Sequence, residues 1–189
     1  MSLGFQCEFL CFPFQESRSL LDFIAFMEEE RRTAVYSMIL DLYAANPQLE
    51  LSWENAAFDR LGYYSEPVFE EGEVQERQAA LYGGVRWRLE DHIPWEDRRL
   101  DRISLFQSIP GRTVTPELRL SDAEGNTRAC PWHHNATVAL ASFRSALSLA
   151  RNPQSAARAK DLTCPVSLPF EGTSQQLMTH GFLEPGQWF

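Results

Sequence analysis

A long apolar stretch at residues 33–43 constrains the fold of this chain more than any other feature of its sequence. It is β-branched and apolar almost throughout, which predicts a strand buried on both faces. Before it, Ser19 and Asp22 form a capping-box pattern, and apolar residues at helical spacing continue to Arg31, which predicts an amphipathic helix. Because residues 5–14 predict an earlier buried strand, the first part of the chain is expected to form a βαβ unit with parallel strands.

The remaining segments predict further strands and loops. Residues 44–78 are rich in glutamate and interrupted by proline and glycine, which favours a long solvated connection, although their aromatic side chains leave open a lid over a sugar or another flat ligand. Residues 80–89 predict a strand bent at two glycines, and residues 103–106 and 114–120 predict short strands. Residues 175–179 predict a small helix, after which an aromatic tail is expected to dock on the body. The sequence therefore predicts an α/β fold with a mixed, partly parallel sheet flanked by helices.

Composition bounds the class of protein. A chain of 189 residues with 44% hydrophobic residues is expected to form a single domain, residues 1–189, with a sizeable core. Its net charge of −9 disfavours binding to nucleic acid, because the summed field repels phosphate. The sequence shows no run of transmembrane length, and its cysteines lack paired spacing, so a cytoplasmic protein with free thiols is predicted.

Residues 129–135 concentrate the groups that can ligate a metal or transfer a proton. They include Trp132, His133 and His134, and a helical pattern follows, with a cap from Thr137 or from the asparagine two residues earlier. The histidine pair is therefore expected just before a helix amino terminus, where free N–H groups favour an anion. Because neighbouring side chains of an extended chain point to opposite faces, one buried and one exposed histidine is the structural alternative to metal ligation.

Four further residues are candidates by their position. Asp41 and Tyr43 are expected near the carboxyl end of the second strand, where ligands gather in open α/β sheets. Asp41 could act as a general base or simply end the strand. Arg86 and Arg88 are expected to project to one face, where they could hold a phosphate with bidentate hydrogen bonds or pair with the acidic residues that follow them.

Four short pieces of the sequence can be compared with a known family. They are residues 8–13 (EFLCFP), residues 38–43 (MILDLY), residues 83–89 (GGVRWRL) with 103–106 (ISLF), and residues 133–134 (HH) with 140–144 (LASFR). In this order they resemble the segment after the aspartate-rich motif, the next strand, the arginine-containing motif and the late histidine region of bacterial family 2 glycosyltransferases. The resemblance spans most of this chain and the second half of the family's domain.

The resemblance implies a truncated or degenerate GT-A-like fold. It implies transfer of a sugar from a nucleotide-sugar donor to a glycan or another hydroxyl acceptor, with manganese or magnesium as a possible cofactor. The implied site consists of the catalytic carboxylates Glu8 and Asp41, the substrate-binding residues Arg86, Arg88, Trp132 and Tyr43, and the metal ligands His133 and His134. The two carboxylates, Arg86 and His134 are expected to border one cleft past the carboxyl ends of the strands.

The sequence departs from the family pattern at the metal site. Phe5 and Cys7 occupy the positions of the family's aspartates, which leaves only Glu8, and Ser142 stands where the family has a late metal-binding histidine. A hard cation needs oxygen ligands, so these changes remove the expected metal chemistry. The family's nucleotide-binding half also has no counterpart before Phe5. We therefore expect either a fragment of an active enzyme or a relative without transfer activity.

Two other kinds of function fit the residues. The missing motifs and the aromatic side chains fit a non-catalytic module that binds a glycan or a protein. Cys130, His133 and His134 could instead form the centre of a small zinc-dependent hydrolase.

Overall fold

The computed structural model describes residues 7–70, 73–116, 118–126 and 135–188 of the chain. The helices in these ranges are α1 (Leu20–Glu29), α2 (Gly84–Arg88), α3 (Arg144–Arg151) and α4 (Ser174–Thr179). The strands are β1 (Glu8–Cys11), β2 (Ala34–Asp41), β3 (Tyr43–Ala44), β4 (Ala56–Asp59), β5 (Tyr63–Glu70), β6 (Glu73–Gly83), β7 (Asp101–Phe106), β8 (Val138–Ser142) and β9 (Ser167–Pro169). Short 3-10 turns occur at Glu90–His92, Trp95–Arg98 and Ala123–Asn126. The protein is therefore of mixed α/β class, as the sequence predicts.

The main sheet has four strands in the order β1-β8-β2-β7. Strands β2 and β8 are parallel, whereas β1 runs antiparallel to β8 and β7 runs antiparallel to β2. The predicted mixed, partly parallel sheet is thus confirmed. The predicted parallel βαβ unit is wrong, because β8 lies between β1 and β2 and these two strands run in opposite directions.

Strand β2 is buried along all eight of its residues. This agrees with its continuous apolar sequence, since a strand covered on both faces does not need alternating polar residues. Helix α1 begins at the predicted capping box, in which the Ser19 hydroxyl accepts the Asp22 N–H and the Asp22 carboxylate accepts the Ser19 N–H. The helix buries Phe23 and Met27 and leaves its opposite side in water.

The carboxyl-terminal tail docks on the body, as predicted. The Trp188 ring packs against Phe23 with ring centroids 5.0 Å apart, and it also contacts the rings of Phe14 and Phe26. Backbone and side-chain hydrogen bonds of 2.9 Å join Thr137, at the start of β8, to Glu184. The tail therefore covers the apolar side chains on the buried face of α1.

The segment at residues 44–78 is not a solvated connection, contrary to the prediction. It contains β4, the central strand of a small sheet of order β3-β4-β9, and most of a hairpin formed by β5 and β6. Strand β4 is buried along its whole length. An antiparallel ribbon can keep one face in water and can therefore carry many charged residues. For this reason the glutamates of this segment indicated a loop although the chain forms strands.

The predicted strand at residues 80–89 ends early. Strand β6 stops at Gly83, and Gly84 begins α2, so Arg86 and Arg88 lie on a short helix. Gly83 has φ 144° and Gly84 has φ 57°, values that L side chains rarely adopt. A Cβ atom on Gly83 would lie 2.4 Å from the Gly62 carbonyl oxygen. The glycine pair therefore makes a sharp turn from strand to helix rather than a bend within a strand.

The helix predicted from Thr137 begins later. Val138–Ser142 forms strand β8, and α3 starts only at Arg144. Short apolar runs do not distinguish a strand from a helix, and this one becomes a strand because it fills the space between β1 and β2. The histidine pair consequently does not precede a helix directly. No side-chain cap occurs at Phe143, the residue before α3, although the Ser142 hydroxyl accepts the Arg144 N–H at 3.2 Å.

The other short elements agree in part with the predictions. The strand at residues 103–106 is confirmed within β7, and the helix at residues 175–179 is confirmed within α4. In the described part of residues 114–120, the strand prediction reduces to one isolated bridge between Val114 and Leu120.

Candidate functional site

The candidate site lies at one end of the main sheet. Asp41 ends β2 and is paired with Ser142, which ends the parallel strand β8. Glu8 begins β1 and is paired with the same Ser142 from the other side. Because β1 is antiparallel, its amino end lies beside the carboxyl ends of β2 and β8. The two predicted carboxylates therefore share one edge of the sheet.

Asp41 forms a buried ion pair with Arg86 from α2. The Arg86 Nε and Nη2 atoms donate to the two Asp41 carboxylate oxygens at 2.7 and 3.1 Å, and the Ser145 hydroxyl donates to Asp41 at 2.8 Å. The Arg86 Nη1 atom donates to the carbonyl oxygens of Asp97 and Arg99 at 2.6 and 3.1 Å. Burial opposes the charge on Arg86, but Asp41 outweighs it, so the pKa of Arg86 lies above its ordinary value. Asp41 at the end of β2 therefore contacts α2 through Arg86 and α3 through Ser145.

Glu8 is the more accessible of the two carboxylates. It forms a salt bridge with Arg144, with 2.9 Å between Nε and the carboxylate oxygen, and it accepts a hydrogen bond from the Ser142 hydroxyl at 3.2 Å. The Glu8 side chain is 28% exposed, whereas that of Asp41 is only 3% exposed. Glu8 can therefore exchange a proton with a ligand in solution more readily than Asp41 can.

A cleft of about 240 Å³ opens next to these carboxylates. Its lining combines α3, α2, the 3-10 turns and β7, and consists of Arg86, His92, Ile93, Pro94, Asp97, Arg102, Arg144, Ser145, Ser148, Leu149 and Asn152. We call it the arginine cleft. Asp41 holds two of the lining residues, Arg86 and Ser145, and Glu8 holds a third, Arg144.

The arginine cleft concentrates guanidinium groups although the whole chain carries a net charge of −9. Two of these groups are paired with carboxylates outside the lining, Arg86 with Asp41 and Arg144 with Glu8. Three arginines line it, and Asp97 is the only acidic side chain among the described lining residues. Burial lowers the pKa of Arg102, and the nearby charge of Arg86 lowers it further, although Asp101 acts in the opposite direction. The first turn of α3 adds the positive end of a helix dipole at Arg144 and Ser145. Guanidinium groups and a helix amino end are groups that can bind an anion.

Arg88 and Tyr43 belong to a second cluster around Asp59. The Arg88 Nε and Nη2 atoms donate to Asp59 at 2.8 and 3.1 Å, and the Tyr43 hydroxyl donates to the same carboxylate. The Tyr43 hydroxyl also lies 2.7 Å from that of Ser167. Burial, followed by its bond to Asp59, raises the pKa of Tyr43 well above its ordinary value. The expectation that Arg86 and Arg88 face the same way is therefore wrong, because each binds its own aspartate.

The rest of the predicted site falls on residues that the structure does not describe. Trp132, His133, His134 and Cys130 lie outside the described residues. Within the described part of the chain, no group of histidine, cysteine, aspartate or glutamate side chains could hold a metal ion. The described cysteines Cys7, Cys11 and Cys164 are free thiols, as predicted, and burial raises the pKa of Cys11 to about 12.

Several residues of the arginine cleft were not identified from the sequence. Arg102 is the second residue of β7, and nothing in its sequence neighbourhood distinguishes it from a surface residue. Ser145 had no signal in the sequence, because its contact with Asp41 joins residues 104 positions apart. His92 had a weak signal, since it lies in the charged segment that follows Arg86 and Arg88.

No family model, curated protein or solved structure matches this chain. The likeness to family 2 glycosyltransferases therefore depends on the short segments quoted above. Within the described ranges, no helix has both the length and the apolar character that a membrane crossing requires.

Proposed function

We propose that the protein is a glycosyltransferase-like protein whose arginine cleft binds the diphosphate of a nucleotide-sugar. The observation that carries the proposal is the gathering of Arg86, Arg102 and Arg144 around one cleft in an acidic chain. Arginine suits this role because its planar guanidinium group donates two parallel hydrogen bonds to phosphate oxygens.

The size of the cleft limits which part of the donor it holds. Pockets that enclose a whole small molecule usually measure about 300–1,000 Å³. The arginine cleft, at about 240 Å³, would hold the diphosphate, while the nucleoside and the sugar extend from it. Arg144 and Arg102 are the proposed phosphate ligands, and Arg86 contributes its charge while its hydrogen bonds go to Asp41 and to backbone carbonyl groups.

In the transfer reaction, Glu8 is the proposed general base. A carboxylate removes the proton of the acceptor hydroxyl as that oxygen attacks the sugar carbon and the nucleotide diphosphate leaves. Glu8 suits this role better than Asp41, because its side chain is partly exposed and lies next to Arg144. Asp41 would act by positioning Arg86 and Ser145.

A divalent cation is a separate part of the proposal. Manganese or magnesium would neutralise the diphosphate in the related enzymes, and here the arginines would supply that charge. Nucleotide binding measured with manganese and with a chelator distinguishes neutralisation by the metal from neutralisation by the arginines. Equal affinity in both conditions supports neutralisation by arginine, and dependence on manganese assigns that role to the metal.

The proposal is tested by thermal denaturation with uridine and guanosine diphosphates, their sugar derivatives and inorganic diphosphate. We expect a saturable rise in the melting temperature with at least one of them. Arg144→Gln should weaken that binding about tenfold, since it removes a charged hydrogen bond. The control is Arg151→Gln, at the far end of α3, which should bind normally. If no nucleotide changes the melting temperature, or if both variants lose affinity equally, the arginine cleft is not a donor site.

Transfer is tested separately from binding. If the wild-type protein transfers labelled sugar to a hydroxyl acceptor, Glu8→Gln should abolish transfer and retain nucleotide affinity within about threefold. An unchanged transfer rate in Glu8→Gln would exclude Glu8 as the base.

A further inference from the structure

An aromatic groove of about 450 Å³ lies between β1 and the loop that follows β9. It is lined by Phe9, Trp53, Glu54, Phe170, Glu171 and Gly172. Phe9 and Glu8 are neighbours in β1, and successive side chains of a strand point to opposite faces. The groove therefore lies on the other face of β1 from Glu8.

Three rings form the apolar surface of this aromatic groove. The Trp53 ring is in the middle, with ring centroids 6.1 Å from those of both Phe9 and Phe170. The interplanar angles are 67° to Phe9 and 46° to Phe170, so the rings are inclined to one another. Trp53 is held from below by Phe143, with a centroid distance of 4.8 Å. Phe9 is 42% exposed although it is a large apolar side chain.

The charged groups of the aromatic groove are all negative. Glu54 and Glu171 are both exposed, and no basic side chain occurs among the described lining residues. A hydrogen bond from its own backbone N–H, followed by one from Ser52, lowers the pKa of Glu54. The groove therefore repels phosphate and attracts cations, the opposite of the arginine cleft.

We propose that the aromatic groove binds a quaternary ammonium group, with the faces of Phe9, Trp53 and Phe170 around the cation and Glu54 and Glu171 at the rim. The negative face of an aromatic ring attracts a cation, and inclined rings can present several faces to the same charge. The carboxylates add an attraction that does not require an N–H donor.

A quaternary ammonium group fits this lining better than a primary ammonium or a guanidinium group. Rings do not replace the hydrogen bonds that an N–H group makes to water, so a primary ammonium loses hydration when it enters the groove. A trimethylammonium group has no N–H to satisfy, and its methyl groups bury apolar area against the rings. The protein uses the same ring–cation chemistry internally, where the Arg18 guanidinium carbon lies 4.8 Å from the centre of the Trp188 ring.

The test is a titration of the whole protein with choline and with its uncharged isostere, in which a tert-butyl group replaces the trimethylammonium group. Isothermal calorimetry and the NMR signals of the indole groups report binding. We expect choline to bind in the millimolar range and the isostere to bind at least fivefold more weakly. Equal binding of the two compounds, or no saturable binding of choline, would overturn the proposal.

Matched variants locate the binding. Phe9→Leu keeps an apolar side chain but removes the ring, and should weaken choline binding about fivefold. Phe106→Leu is its control, because Phe106 is also on an edge strand and is 45% exposed, but lines another groove. Phe106→Leu should bind choline like the wild type. An equal loss in both variants, or an unchanged affinity in Phe9→Leu, contradicts the assignment.

The carboxylates are tested in the same way. Glu171→Gln should weaken choline binding and reduce its dependence on salt, since it removes one charge from the rim. Glu29→Gln, at the exposed end of α1, changes the net charge equally and should leave binding unchanged. A neutral methyl glycoside is the last control ligand for the wild-type protein. If it binds as tightly as choline, the rings recognise a sugar face and the quaternary ammonium proposal is wrong.

Discussion

At the scale of single residues, the ion pair between Asp41 and Arg86 is the central interaction of the candidate site. Both side chains are almost fully buried. The Arg86 guanidinium group donates to both Asp41 carboxylate oxygens and to the backbone carbonyl oxygens of Asp97 and Arg99. Removing water from two charges is costly, so a pair of this kind stabilises the protein only while both partners and their hydrogen bonds are present. The pair therefore makes the position of α2 depend on β2.

Asp41→Asn tests this dependence. The substitution leaves the Arg86 charge buried without a carboxylate, and we expect it to lower the free energy of unfolding by about 3–5 kcal/mol in urea denaturation. The control is Glu90→Gln in the exposed pair with Arg98, which should cost less than about 1 kcal/mol. The double variant Asp41→Leu with Arg86→Met should recover part of the loss. A cost for Asp41→Asn no larger than that of Glu90→Gln would show that the pair is not structural.

At the scale of elements, the turn between β6 and α2 decides where the arginines point. Gly83 has φ 144° and approaches the Gly62 carbonyl oxygen and the Tyr63 ring so closely that no side chain fits. The chain reverses there and places Arg86 next to Asp41 and Arg88 next to Asp59. A strand through the same residues would have placed both arginines on one face.

Gly83→Ala tests the turn. We expect a loss of about 3 kcal/mol in the free energy of unfolding, because the new Cβ atom meets backbone atoms and the backbone conformation is unfavourable for alanine. Gly111→Ala is the control, since Gly111 also has a positive φ, 86°, but has no atom within 4 Å of the Cβ position. It should cost about 1 kcal/mol. If both variants lose the same free energy of unfolding in urea denaturation, the close contacts of Gly83 do not destabilise the alanine variant.

At the scale of the whole molecule, the carboxyl-terminal tail packs against residues from the first part of the described chain. Trp188 fills the space between α1 and the aromatic residues that follow β1, and Arg18 stacks on its outer face. Residues 182 and 183 add buried apolar side chains to the core behind β2. The sheet is therefore covered on this side by the last residues that the structure describes.

Trp188→Ala should lower the free energy of unfolding by about 3–5 kcal/mol, because it leaves a large cavity against Phe23. Trp95→Ala is the matched control, since Trp95 is 49% exposed and stacks on Tyr82 near the surface. It should cost about 1 kcal/mol. Urea denaturation followed by circular dichroism measures both variants without relying on tryptophan fluorescence. Similar losses in the two variants would show that the tail docks without supporting the core.

The sequence by itself determined the elements whose signals are local. The capping box of Ser19 and Asp22, the fully apolar strand β2 and the small helix α4 are present near the predicted positions, because hydrogen bonds and side-chain periodicity within one segment specify them. The mixed α/β class followed from the same patterns. The sequence also predicted that Glu8, Asp41, Arg86 and His134 border one cleft. The structure brings the first three to one end of the sheet, and His134 lies outside the described residues.

The tertiary structure alone decided the features that depend on contacts between residues far apart in the sequence. Val138–Ser142 became a strand because a place between β1 and β2 buries both of its faces, and a local apolar run contains no information about that place. The insertion of β8 made β1 antiparallel to it, and this brought Glu8 to the same edge as Asp41. The arginine cleft has the same origin. Arg86, Arg102 and Arg144 come from three separate elements, and they line one cleft only because the tertiary structure brings α2, β7 and α3 together.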